Sequence, residues 1–196
     1  MSSVMLYVSG STFPFHYHIN AANVILLMTI WRFILYSNRN PGRQTRHLKC
    51  NQITSLALRS AGFPTSMEPS GLFSDSRRPD GVTRIPWSQG KFLIGDFSCL
   101  DTNSPSNFNK DALNRAQNFK ISKYRADSSN DIFIHIICST LTTYGDLAKN
   151  FFKDVGRLIR KNSGEPREGF YLRQRFAIAI LKANYVYFIN SVSPDD

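Results

Sequence analysis

From Thr45 to Ser60 apolar residues recur at helical spacing, with Leu48, Ile53, Leu56 and Ala57 as one candidate buried stripe, and Gly62 and Pro64 stop the pattern. Phe63 to Leu72 has strand character, but Pro64 and Pro69 confine it to a sheet edge or a bulged path. Arg77 to Leu100, RRPDGVTRIPWSQGKFLIGDFSCL, reads as two strands joined by a turn at Pro86, Ser88 and Gly90. In its second strand Phe92, Ile94, Asp96 and Ser98 alternate with Leu93, Gly95, Phe97 and Cys99, so both faces are mostly apolar. That pattern suits a central strand covered on each side. Asp101 to Phe108 is a loop by composition, Asn109 is placed to cap the next helix, and that helix runs to Arg125 with Leu113, Gln117, Lys120 and Tyr124 at stripe spacing. DIFIHIICS, Asp131 to Ser139, is a further buried strand. Two helices close the chain. Tyr144 to Lys161 puts Leu147, Phe151, Val155 and Leu158 on one face, and Glu168 to Asn190 is apolar enough to lie largely buried against the sheet. The order from Thr45 predicts an α/β layered domain with a mixed sheet.

Residues 1–44 do not join this pattern. Their apolar run, AANVILLMTIWRFILY, is short for a membrane span and is interrupted by Arg32, and no basic start or small-residue cleavage site marks a signal peptide. A packed helix or an arm unrelated to the core is preferred over a signal anchor, so the expected division is an arm at 1–44 and a domain at 45–192. The 196 residues suit one domain plus such an arm. A net charge of +10 points to an anionic partner, nucleic acid or a membrane surface. Cys50, Cys99 and Cys138 show neither CxxC nor Cys/His spacing, so no disulfide framework or zinc site is expected. A reducing compartment, nuclear or cytoplasmic, fits that usage.

The chemistry concentrates in the hairpin. A turn pivoting near Ser88 sets Asp80 opposite Asp96, where Cβ atoms of facing residues lie about 5 Å apart and like charges repel unless something neutralises them. A divalent cation would do so. Folding the preceding segment back around Ser74 brings Glu68 opposite Asp80, completing a row of three carboxylates across three strands. His47 and Asn51 share a helix face, as a solvent-facing polar pair or as the border of a cleft; the polar pair is preferred for His47. His135, within an apolar strand, is expected to be a satisfied core histidine.

Several short stretches carry a resemblance. RH at 46–47, Asn51, AGFP at 61–64, EPSGL at 68–72, RRPDGV at 77–82, IPW at 85–87, DFS at 96–98, DT at 101–102 and GEPR at 164–167 look like the restriction-endonuclease-like segment near the C-terminal end of eukaryotic non-LTR retroelement (retrotransposon) proteins. That segment belongs to the PD-(D/E)xK nuclease superfamily, and the resemblance covers residues 45–190. It implies a core of helix, three antiparallel strands, helix and strand, here followed by two additional C-terminal helices. It implies Asp80 and Asp96 as ligands of Mg2+ or Mn2+, Glu68 as an assisting carboxylate, and the Phe97 carbonyl as a further ligand, a hard-oxygen set. The motif lysine, expected two residues after Asp96, is Ser98. Some superfamily members carry this lysine on the following helix, which makes Lys120 the first candidate and Lys123 the second; an ordinary exposed helix face competes equally with that assignment.

Two functions of different class follow. The first is a metal-dependent endonuclease hydrolysing DNA phosphodiester bonds, acting with a reverse transcriptase on the same or another chain. The second is a binding relic of the same fold, whose basic residues hold phosphates in a salt-dependent manner. Candidate nucleic-acid contacts are Arg77, Arg78, Lys91 and Arg125, with Gln117 and Tyr124 of the helix stripe; Lys120 and Lys123 join them in the relic. A membrane-anchored protein held by residues 22–36 is the third and weakest expectation.

Overall fold

A computed structural model describes residues 41–73, 77–101, 111–125 and 130–192. The apolar run of the N-terminal arm and the expected cap Asn109 lie outside these residues. Helix α1 spans Pro41–Ser60, followed by strands β1 (Thr65–Met67), β2 (Gly81–Thr83) and β3 (Leu93–Leu100), helix α2 (Ala112–Arg125), strand β4 (Ile132–Ser139), and helices α3 (Asp146–Ser163) and α4 (Glu168–Val192). The strands form one mixed, open sheet in the order β1-β2-β3-β4, antiparallel except for the parallel pair β3/β4. The fold is thus α/β, with β1 at an edge as its prolines require.

Helix α1 begins at Pro41, four residues before the expected boundary, because proline's fixed φ suits the first helical position. It ends on Gly62 at φ +94, with Phe63 N donating to Leu58 O at 2.8 Å and Gly62 N to Arg59 O at 2.9 Å, a left-handed C-terminal cap. Its buried face differs from the expected stripe. Leu48 and Leu56 are exposed, whereas Arg46, Cys50, Asn51, Ala57 and Leu58 are buried. Arg46 Nη1 donates to Asn184 Oδ1 of α4 at 2.6 Å, and this buried polar contact fixes the rotation of α1.

Helices α1, α3 and α4 cover one sheet face, where Phe97, Ile136, Phe151, Phe152, Val155, Leu172 and Phe176 form the main apolar core. Helix α4 packs on α1 and α3 more than on the sheet, a correction to its expected position. It buries Leu172, Phe176, Ile180 and Tyr187 and leaves Ile178, Leu181 and Tyr185 exposed. The close approach of α3 and α4 needs Gly156 and Gly169, since a Cβ at Gly156 would lie 2.5 Å from Gly169 Cα. Helix α2 covers the other face over a smaller cluster of Phe73, Ile94 and Tyr124. It also caps α3: Gln117 Oε1 accepts from Leu147 N and Asn114 Oδ1 from Asp146 N, each at 3.1 Å. No helix among the described residues is long and apolar enough to cross a membrane.

Candidate active site

The hairpin register sets Gly81 opposite Gly95 and Val82 opposite Ile94, and the next step of that register sets Asp80 opposite Asp96. The tip turns at Gln89 and Gly90, both at positive φ, with Ser88 bridged to Lys91. The extra residues between Thr83 and Trp87 bulge on the β2 side, so the β2/β3 register survives a turn one residue beyond the expected pivot. On the other side Thr65 pairs with Thr83 and Met67 with Gly81, and Glu68 N donates to Asp80 O at 3.0 Å. The three acidic residues therefore occupy one row of the sheet.

Their side chains divide. Asp96, on the α2 face of the central strand, is buried, and its Oδ2 accepts from Lys120 Nζ at 3.0 Å. Burial pushes its carboxyl above the usual range; Lys120 opposes that shift and Asp80 adds to it. Burial pulls the Lys120 ammonium down, but the charge and hydrogen bond of Asp96 outweigh it and leave the pKa raised. Asp80 turns towards α1. Its Oδ2 accepts from Phe97 N at 2.6 Å and lies 3.2 Å from His47 Nε2, and that hydrogen bond raises the histidine's pKa against the opposing effect of burial. Glu68 does not join them. At φ +45 it directs its carboxylate to Arg78 Nη2, 3.0 Å away, and both side chains are exposed.

The fate of the remaining candidates follows from their helix positions. Ser98 Oγ is 2.7 Å from His135 Nε2, which itself lies 3.7 Å from Asp96 Oδ2. Burial lowers the His135 pKa to about 4, with help from Lys120, so the ring is neutral at neutral pH. Among the described residues its Nδ1 has no hydrogen-bond partner, so only one of the two ring nitrogens is satisfied, short of the satisfied core histidine expected from its strand. Lys123 is exposed, and its carbonyl accepts from Arg77 Nη1 at 2.7 Å, away from the carboxylates. The Arg77 guanidinium stacks over Phe73 and Tyr124, which ties it into the packing under α2. Gln117 and Tyr124 are buried, one capping α3 and the other stacked on Phe133 with centroids 4.3 Å apart, so neither is presented to a macromolecule. Lys91 sits at the hairpin tip, and the side chain of Arg125 lies outside the described residues.

Sequence reasoning undervalued His47. Its signal was the four-residue spacing to Asn51, whose Nδ2 lies 3.2 Å from His47 Nδ1 and orients the ring towards Asp80. A cavity of about 30 Å³, bordered by Asn51, Asp80, Gly95, Asp96 and Phe97, lies between α1 and the strands, room for a single water or ion. Among the described residues no three or more His, Cys, Asp or Glu side chains are arranged to hold a metal. The donors expected there, Asp80, Asp96 and the Phe97 carbonyl, are hard oxygens, with Asp96 held by Lys120 on the α2 side and Asp80 by His47 on the α1 side. No family model and no curated protein sequence matches this chain.

Proposed function

We propose that this chain is a metal-dependent DNA endonuclease of the PD-(D/E)xK type, derived from a retroelement. The observation that carries the proposal is the ion pair from Lys120 on α2 to Asp96 on β3, with Asp80 one residue before the adjacent strand β2. An ammonium arriving from the helix supplies the charge that Ser98 lacks. The element order, helix, three antiparallel strands, helix and a strand parallel to the third, supports the same reading, and so does the net charge of +10.

In this reading Asp80, Asp96 and the Phe97 carbonyl hold Mg2+ or Mn2+. When bound, the ion acidifies a water and offsets charge developing on the phosphoryl oxygens. Lys120 favours the ionised form of Asp96 against the effect of burial and presents its remaining N–H groups to the water and the scissile phosphate. His47 fixes Asp80 from the opposite side, and Phe97 N holds the same carboxylate oxygen, so the aspartate is oriented before substrate arrives. In-line attack of a water oxygen on phosphorus would form one P–O bond as the bond from phosphorus to the leaving sugar oxygen breaks, the water giving up a proton to solvent and the leaving oxygen taking one from it. The expected setting is DNA in nucleus or cytoplasm, beside a reverse transcriptase on this or another chain.

One observation favours the second reading, a DNA-binding relic. Both carboxylates already hold protein donors, and Glu68 is committed to Arg78. Incubating the full chain with supercoiled plasmid plus Mg2+, Mn2+ or EDTA separates the two. The endonuclease nicks with either metal, and neither EDTA samples nor Asp80→Ala do so. Salt-dependent DNA binding without nicking under every condition supports the relic and defeats the endonuclease.

A further inference from the structure

A groove of about 410 Å³ opens beside the carboxylates, between the C-terminal half of β3, β4 and the outer side of α2, and is lined by Ser98, His135, Ile137, Arg115, Phe119 and Lys120 among others. Its size falls in the range of small-ligand sites, and it mixes apolar walls with a few polar groups. Arg115 and Phe119 are four residues apart and so share a face of α2, and Lys120, further round the helix, also borders the groove. Phe119 is 70% exposed, which rules out a packing role for its ring. Arg115 is exposed and makes no ion pair among the described residues. Opposite α2, His135 is 1% exposed, and Ser98 Oγ engages its Nε2 at 2.7 Å.

We infer that this groove is a subsite for an unpaired nucleotide of a DNA strand, with its base stacked on Phe119 and its flanking phosphates met by Arg115 and Lys120. The identity of the ligand as DNA rests on the endonuclease reading; the requirement for an unpaired base comes from the groove. A base within a duplex has both faces covered by its neighbours and cannot reach an aromatic wall. An unpaired base offers one face to Phe119. The enzyme would then act where a strand is frayed, looped or flapped.

The test uses the full chain in EDTA, so that binding is read without cleavage. Fluorescence anisotropy with a labelled single strand and with a duplex of equal length is compared for the unaltered chain, Phe119→Ala and Phe119→Tyr. The expected result is an approximately tenfold weaker grip on the single strand for F119A, with F119Y restoring it and duplex affinity unchanged, in line with the stacking energy of one base. A 2-aminopurine strand should be quenched by the unaltered chain and F119Y but not by F119A. Equal single-strand affinity for F119A and the unaltered chain, or equal losses on both DNAs, overturns the subsite. Plasmid nicking reports separately: metal-dependent nicking with F119-independent binding leaves the endonuclease standing without the subsite, and F119-dependent binding without nicking leaves the subsite without the endonuclease.

Discussion

The two faces of the sheet differ in what they bury. Towards α1, α3 and α4 the strands present Leu93, Phe97, Ile136 and Cys138 to a continuous apolar core. Towards α2, the same two strands, β3 and β4, present Asp96, Ser98 and His135 beside Ile94 and Phe133, and the covering helix answers with Gln117, Lys120 and Tyr124. The first face is organised for stability, since apolar burial contributes roughly 25 cal/mol per Å². The second tolerates a buried carboxylate, a neutral histidine and a half-exposed lysine. That arrangement is explicable as chemistry, and substitutions on the two faces should fail in different ways.

The largest stability effect belongs to the apolar face. Phe152 is fully buried among Phe151, Tyr144 and Phe176, so Phe152→Ala should lower unfolding free energy by about 4 kcal/mol in a denaturant titration. A loss near that of an exposed residue would break the contrast.

On the α2 face the main stability effect is pH-dependent. His135 is lowered from 6.5 to about 4 by burial, so the folded chain binds its proton less tightly than the unfolded one. The stability tied to its neutral ring is complete above pH 6.5 and is lost as pH falls towards 4, amounting to about 3 kcal/mol. Denaturant titrations across that window should show this acid loss in the unaltered chain and not in His135→Leu. Equal slopes would place the titration elsewhere.

The smallest stability effect is expected at the centre of the site. Asp96→Asn removes a charge that burial already disfavours, and Lys120, about one-third exposed, can return its ammonium to water. The change in unfolding free energy should stay within about 1 kcal/mol, read from the same titrations. A loss as large as that of Phe152→Ala would make Asp96 a structural member of the core.

Much of the fold was legible because hydrophobic period and turn residues act locally. The alternation around Asp96 identified the central strand, and the Pro-Trp-Ser-Gln-Gly stretch led to the β2/β3 register that places Asp80 in its row. The Gln117, Lys120, Tyr124 spacing left an inward and an ordinary exposed face of α2 equally open, and only the contact from Lys120 to Asp96 decides for the first. What escaped depended on tertiary partners. The rotation of α1 is set by Arg46 meeting Asn184, 138 positions away, and no local pattern predicts an inward arginine. Glu68 kept its register yet lost its direction, because positive φ turns the side chain towards Arg78. The same limit affected α4, whose apolar content fitted a sheet-facing helix as well as one packed on two helices.

The central claim is that Lys120 supplies from α2 the charge that Ser98 does not. Its most direct test is the rate of metal-dependent plasmid nicking by Lys120→Ala against the unaltered chain, with DNA affinity measured in parallel. Removing one preorganised charge of this kind should slow nicking by about 10²–10³-fold, well beyond the loss of DNA affinity from one phosphate contact. Nicking that proceeds at the unaltered rate without Lys120 would contradict the account.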